Sequence, residues 1–305
     1  MAEPRPAGHG ALRMGALTRN RGGRRAHGLE YAVIDVETTG LDPAEGARVC
    51  EIAVVRMRGD GTVLREFSTL VDPGVPVTGQ VYHGISGSDV VGAPTARALV
   101  PVLAELFSGA VLVGHKLDFE GRFLAAEFAP AGLPGPLPGL CTLRTLRSQV
   151  DLERYSLPRA SRALNGHWPT GQHTALGDAR ACAQLLAELL RNAPGELRYT
   201  GPAPAALRVP PADPGRLKPR VTGRGTLRSA RDTPARPLAA WPRRWRPLEL
   251  DPDLCGGRFA DAERHAAEAA ARRRGLVRDA VGAAAALTGV VAAASAARAL
   301  LGGRT

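Results

Sequence analysis

Apolar residues open the chain's compact part in three short blocks, Tyr31–Glu37, Val49–Met57 and Val63–Val71, parted by turn formers such as Arg58-Gly-Asp-Gly61. Blocks of this length, rich in Val and Ile and bounded by Gly, Asp and Pro, predict strands, and the short turns predict an antiparallel meander. The period then changes. Thr95–Phe107 repeats apolar residues at helical spacing through Leu99, Val102, Leu103 and Leu106, with Pro101 working against the helix. Ala110–Gly114 is a short buried strand that ends at His115. Helical spacing returns over Phe119–Phe128, Leu140–Val150, Leu157–Leu164 and Gly177–Leu190, with a Pro/Gly loop at Pro130–Pro138. Three strands, a helix, a strand and further helices predict a mixed α/β layer fold over residues 29–198.

The flanks have no such pattern. The chain has 305 residues and a net charge of +11, and the excess sits outside the patterned region. Residues 1–28 carry six arginines against Glu3, which predicts a disordered basic arm. Residues 199–248 carry ten arginines and Lys218 against Asp213 and Asp232, with abundant proline, and read as a Pro/Arg-rich linker. Basic arms of this kind attract polyanions through counterion release, although an arginine bias alone would look the same. Trp241 and Trp245, among Arg243, Arg244 and Arg246, suit either stacking on bases or docking on the domain. Residues 249–305 are an Ala-rich helical tail. Ala280–Ala297 is uncharged and near membrane-span length, but alanine gives little transfer energy, so a packed helix is expected there and no membrane anchor. Cys50, Cys141, Cys182 and Cys255 form no CxxC pair, which predicts reduced thiols in a cytoplasm rather than a zinc site.

The chemistry is concentrated in Tyr31-Ala-Val-Ile-Asp-Val-Glu-Thr-Thr-Gly40. Residues two apart on a strand share a face, so Asp35 and Glu37 project side by side from an otherwise apolar element. Two acids held together away from water need a positive partner, and oxygen ligands suit Mg²⁺ or Mn²⁺. The plainer alternative is an edge strand with two solvated acids.

Three more stretches accompany this pair: His83-Gly-Ile85, Val113-Gly-His-Lys-Leu-Asp-Phe-Glu-Gly-Arg-Phe-Leu124 and His173-Thr-Ala-Leu-Gly-Asp-Ala179. With Asp35-Val-Glu-Thr-Thr-Gly40 they resemble the DnaQ-like (DEDDh) 3′→5′ exonucleases, the family of the bacterial DNA polymerase III epsilon proofreading subunit. The resemblance covers about residues 29–192. It implies a ribonuclease H-like mixed sheet flanked by helices and a centre holding two Mg²⁺ or Mn²⁺ ions. In that centre Asp35, Glu37, Glu120 and Asp178 would be metal ligands and His173 the general base. Thr38, Thr39, Leu41 and His83 would contact the terminal nucleotide. The family usually has Asp five residues after the second-motif histidine and Asn directly after it. Here Glu120 and Lys116 stand there, with Asp118 nearby. At 100° per residue, Glu120 falls on the face of Phe119, Phe123, Leu124 and Phe128, and Asp118 on the opposite side, which selects Glu120 as the third ligand.

The implied activity is release of nucleoside 5′-monophosphates from the 3′ end of single-stranded or 3′-ended DNA in repair or replication, without a small-molecule cofactor. RNA 3′-end trimming is the near alternative, and a catalytically weak nucleic-acid-binding protein the distant one. Residues 258–301 faintly resemble a degenerate BRCT remnant.

Overall fold

In a computed structural model, the chain is described over residues 10–220, apart from 20, 21, 151, 153, 194 and 212. The expectations for Trp241, Trp245 and the Ala-rich tail, and for the first nine residues, lie outside this range. The strands are β1 (Leu12–Gly15), β2 (Leu17–Thr18), β3 (Arg24–Arg25), β4 (Glu30–Thr38), β5 (Val49–Arg58), β6 (Val63–Leu70), β7 (Ala110–Gly114), β8 (Leu137–Cys141) and β9 (Arg198–Tyr199). The helices are α1 (Gln80–His83), α2 (Gly87–Val90), α3 (Ala96–Phe107), α4 (Asp118–Phe123), α5 (Thr142–Gln149), α6 (Leu157–Asn165) and α7 (Ala175–Asn192). Six strands form one mixed sheet in the order β1-β8-β7-β4-β5-β6. The meander β4-β5-β6 is antiparallel, and β7, β8 and β1 extend the sheet in parallel pairs. This is the ribonuclease H-like arrangement that the motifs implied.

The centre of the sheet explains the unbroken apolar run of β4. Tyr31 and Val33 pack on one face with Val55, Val113 and the α7 residues Leu185, Leu186 and Leu189. Ala32, Ile34 and Val36 pack on the other with Leu99, Leu103, Phe123 and Phe128 of the α3 and α4 layer. A strand buried on both faces cannot alternate, which is the signature of an internal strand with a parallel neighbour. Asp35 and Glu37 share the parity of Tyr31 and Val33, and so turn toward α7.

Three expectations need correction. Residues 10–19 and 22–28 are not a disordered arm. β1 pairs with β8 from Leu12↔Leu137 to Gly15↔Leu140, and β2 and β3 flank β9 in a second, three-stranded sheet. Ladder hydrogen bonds come from the backbone, so a short polar-looking stretch becomes a strand when an open edge is offered to it. The domain also does not stop at residue 198, because Tyr199 is fully buried and its hydroxyl donates to the Gly139 carbonyl at 3.2 Å. Residues 200–220, read as linker, run back over the domain. Finally, Leu140–Val150 is not one helix but the end of β8 followed by α5 from Thr142. A short apolar run does not reveal by its period whether it is a buried strand.

Pro101 is accommodated inside α3, which runs on to Phe107. The helix expected over Phe119–Phe128 ends in a wider π turn at Leu124–Phe128, where Glu127 accepts a hydrogen bond from the Val49 amide at 2.9 Å.

Candidate active site

Oxygen atoms of Asp35, Glu37 and Asp178 lie within 4.8 Å of one another, brought together from β4 and the first turn of α7. The α7 end is tightly built. Thr174 caps it by accepting from the Gly177 amide at 3.1 Å, and the Thr174 amide and hydroxyl both donate to the Gly171 carbonyl. A Cβ on Gly177 would come within 2.0 Å of that carbonyl, so only glycine lets the 171–174 loop fold onto the helix. His173 sits in this loop with φ 61°, a left-handed conformation that costs a non-glycine residue about 1–2 kcal/mol. The conformation aims its amide at Asp178 Oδ2, 3.0 Å away, and leaves the imidazole exposed.

The electrostatics are those of crowded acids that Arg220 only partly offsets. Burial, then the charges of Asp178, Glu120, Glu37 and Glu51, raise the Asp35 carboxyl well above the usual carboxylate range. Glu37 is pushed up to about 8 by burial, then by Asp178 and Glu51, while Arg220 pulls the other way. Burial raises Asp178, against the opposing effect of the His173 amide. Glu120 is pushed up to about 8, chiefly by burial, and its Oε2 has no hydrogen-bond partner. Glu120 stands outside the tight trio but close enough for Asp35 to feel its charge. Asp118 is buried toward α5, with Oδ2 3.9 Å from Arg144 Nη2. An orphaned buried carboxylate oxygen beside three converging acids is a donor set that fits divalent cations.

The residues expected to contact a terminal nucleotide divide into two groups. Leu41 is 80% exposed just past the strand exit, where the register shifts between Glu37 and Thr38. Thr38 and Thr39 are occupied with the turn itself. The Thr38 hydroxyl donates to the Gly40 carbonyl at 2.6 Å, and Thr39 exchanges hydrogen bonds with the Arg48 backbone. His83 is buried, with Nε2 donating to the Thr78 carbonyl at 3.0 Å and Nδ1 accepting from the Ile85 amide at 3.1 Å. Its ring therefore organises the α1 turn, and the exposed apolar side chains there are Val81 and Tyr82. The Thr78 hydroxyl also donates to the Thr39 carbonyl, tying that turn to the strand exit.

Two residues of the site escaped the sequence reading. Glu51 faces Glu37 across the β4–β5 ladder and is 1% exposed. A lone acid inside the Val49–Met57 run was the available signal; its place opposite Glu37 comes from the β4–β5 register. Arg220 donates to Glu51 Oε2 at 3.3 Å and to the His173 carbonyl at 3.0 Å. Nothing in its proline- and arginine-rich surroundings singled it out.

Residues 32–186, half of the chain, match the family described as Exonuclease (RNase T). The chain belongs to the exonuclease family. Among its relatives, DNA polymerase III subunit epsilon of Aquifex aeolicus is 33% identical over 166 residues, covering 53% of this chain and 81% of that protein. The epsilon-like protein of Rhodobacter capsulatus is 36% identical over 169 residues, which is 24% of its own length. The PolC-type DNA polymerase III of Clostridium perfringens is 31% identical over 160 residues, 11% of its length. Among solved structures, exonuclease X in complex with 5′ overhanging duplex DNA aligns with 53% of this chain and 91% of its own, at 27% identity and a TM-score of 0.43. E. coli exonuclease I in complex with a dT13 oligonucleotide aligns with 53% and 41%, at 16% identity and a TM-score of 0.45. The family match covers the whole acidic cluster and the His173 loop; Arg220 lies beyond it. Among the described residues no helix is long and apolar enough to cross a membrane.

Proposed function

We propose that this exonuclease is a divalent-metal-dependent 3′→5′ enzyme that shortens DNA and releases nucleoside 5′-monophosphates in repair or replication. The convergence of Asp35, Glu37 and Asp178 carries the reading. These three, with Glu120, would hold two Mg²⁺ or Mn²⁺ ions, which when bound supply Lewis-acid stabilisation of the attacking and leaving oxygens. Asp35 would be one of these ligands, and its carboxyl feels the charges of Asp178, Glu120, Glu37 and Glu51. His173 is exposed on an anchored loop beside Asp178, a position from which its imidazole can take the proton of the attacking water. The water oxygen bonds to phosphorus, the bond from phosphorus to the 3′ oxygen breaks, and the leaving oxygen is protonated from solvent. Leu41, with Val81 and Tyr82, offers an exposed apolar rim for the terminal base, and the Thr38–Thr39 turn brings backbone close to its sugar. The relatives named as DNA polymerase III proteins support DNA as the substrate.

The test is one assay. End-labelled single-stranded DNA and RNA are incubated with Mg²⁺ or Mn²⁺ and with wild type, Asp35→Ala, Glu120→Ala or Asp118→Ala. Stepwise 3′ shortening of DNA is expected, lowered in Asp35→Ala by a factor on the order of 10² to 10³, the scale of losing one electrostatic stabiliser. Shortening of RNA alone would reassign the substrate, and cutting from the 5′ end would overturn the direction. An inactive Asp118→Ala beside an active Glu120→Ala would overturn the ligand assignment.

A further inference from the structure

The segment that follows the family domain does not leave it. The Ala205 carbonyl accepts from the Gly109 amide at 2.9 Å, and the Leu207 amide donates to the Ser108 hydroxyl at 3.0 Å. Leu207 and Val209 pack against the core on the α3 side. Further on, Lys218 is fastened to the end of β6, its carbonyl accepting from the Leu70 amide at 2.8 Å and its amide donating to the Thr69 hydroxyl at 3.0 Å. Its Nζ reaches the Val91 carbonyl at 2.7 Å. These anchors aim the next basic residue, Arg220, into the acidic centre, where its side chain is 16% exposed. The guanidinium lies over Gly84, where a side chain would come within 3.3 Å of Nη2.

The three-residue stretch 173–175 is then gripped at both ends. Arg220 Nη1 donates to the His173 carbonyl, and Glu51 Oε2 accepts from the Ala175 amide at 3.1 Å, while the same Nη1 reaches Glu51 Oε2. A left-handed non-glycine residue persists only where its surroundings over-determine it, and His173 is such a residue. We propose that Arg220 is a positioning residue of the exonuclease reaction, supplied by the strap at residues 200–220, which acts through Glu51 and the His173 carbonyl to fix the loop bearing the base. This rests on the functional reading above.

The full chain with Arg220→Ala is expected to lose kcat by roughly ten- to a hundredfold, the range typical for removing the partner of a first-rank group. KM for the oligonucleotide should stay within about twofold, since uniform binding is not what is lost. Arg220→Lys should recover part of the rate. His173→Ala/Arg220→Ala should be no slower than His173→Ala, because groups acting through one another are not additive. Amide exchange at His173 and Ala175 should quicken in Arg220→Ala while amides of β4 and β5 keep wild-type protection. That readout needs no activity, so it stands apart from the functional reading, whose own failure would be wild-type shortening that does not depend on Asp35. A raised KM at unchanged kcat would make Arg220 a direct substrate contact. Higher activity would make it a blocking counter-charge, and a fully additive double variant or unaltered exchange would remove the link to His173. Each of these overturns the proposal.

Discussion

Single side chains at the centre of this protein are placed where they are unstable alone. Asp35, Glu37 and Glu120 are held above their ordinary pKa because burial and mutual repulsion oppose their charge. Cations that bind the folded protein and not the unfolded one should stabilise it by about 2.7 kcal/mol at a hundred times the dissociation constant. For a domain of this size that is a rise in Tm of roughly 5–10 °C with Mn²⁺ or Ca²⁺, read by thermal melting. Asp35→Asn should abolish most of the rise while melting no lower than wild type without metal, since it also removes repulsion. An equal rise in the variant would place the ions elsewhere. At this scale the sequence was highly legible. Asp35, Glu37 and Asp178 were named from two motifs, and they do converge. Glu51 was hidden because its partnership with Glu37 exists only through strand register. His83 was expected as a substrate-contact candidate; that its ring also closes a turn is something the tripeptide His-Gly-Ile does not encode.

Elements decide how rigidly those side chains are presented. Gly177→Ala would drive a methyl group into the Gly171 carbonyl. Backbone must move, so a loss of about 1–3 kcal/mol is expected, the usual cost of overpacking, together with at least a tenfold fall in kcat. Urea unfolding and the shortening assay would check both. Activity surviving at wild-type level would mean that the 171–174 loop can reseat freely. Behind the site, the His115 ring lies between the Thr142 hydroxyl at 3.0 Å and the Tyr155 carbonyl at 2.7 Å, to which Nε2 donates. Burial pushes its pKa down to about 4. The unfolded chain, with an ordinary histidine near 6.5, then binds more protons between those two pH values. His115 therefore costs stability as pH falls through that window, on the order of 3 kcal/mol at 1.36 kcal/mol per unit. The stability difference between wild type and His115→Gln should shrink or reverse between pH 7 and pH 4.5, measured by urea unfolding. A pH-independent difference would show that the ring stays accessible to protons. Most elements were legible because their period or length was distinctive, as in α7 and β4. β1 and β8 were not, since β1 sits in an arginine-rich stretch and β8 holds Pro138 and Gly139, which read as loop.

The molecule as a whole is larger than its motif-bearing part. Pattern alone gave a boundary at residues 29 and 198, yet Leu17 and Tyr199 are fully buried and pair with each other across the second sheet. A fragment spanning residues 10–220 should fold with a Tm within a few degrees of the full chain. One spanning 29–198 should melt far lower or aggregate, because it strips β1 from the β8 edge and leaves an unpaired strand. Size-exclusion chromatography and thermal melting would decide, and a stable monomer of 29–198 would show that the outer strands are dispensable. The boundary was misread because backbone pairing and distant anchors leave no hydrophobic rhythm in the residues that make them.

The pairing of Leu12 with Leu137 has a further consequence for how the protein is made. During synthesis β1 has no seat until the helices and loops up to β8 have followed it. It must wait as exposed chain, and closure of so distant a contact comes late and slowly. Whatever holds β1 in the meantime would thus govern when the sheet is finished, and with it when the enzyme is born.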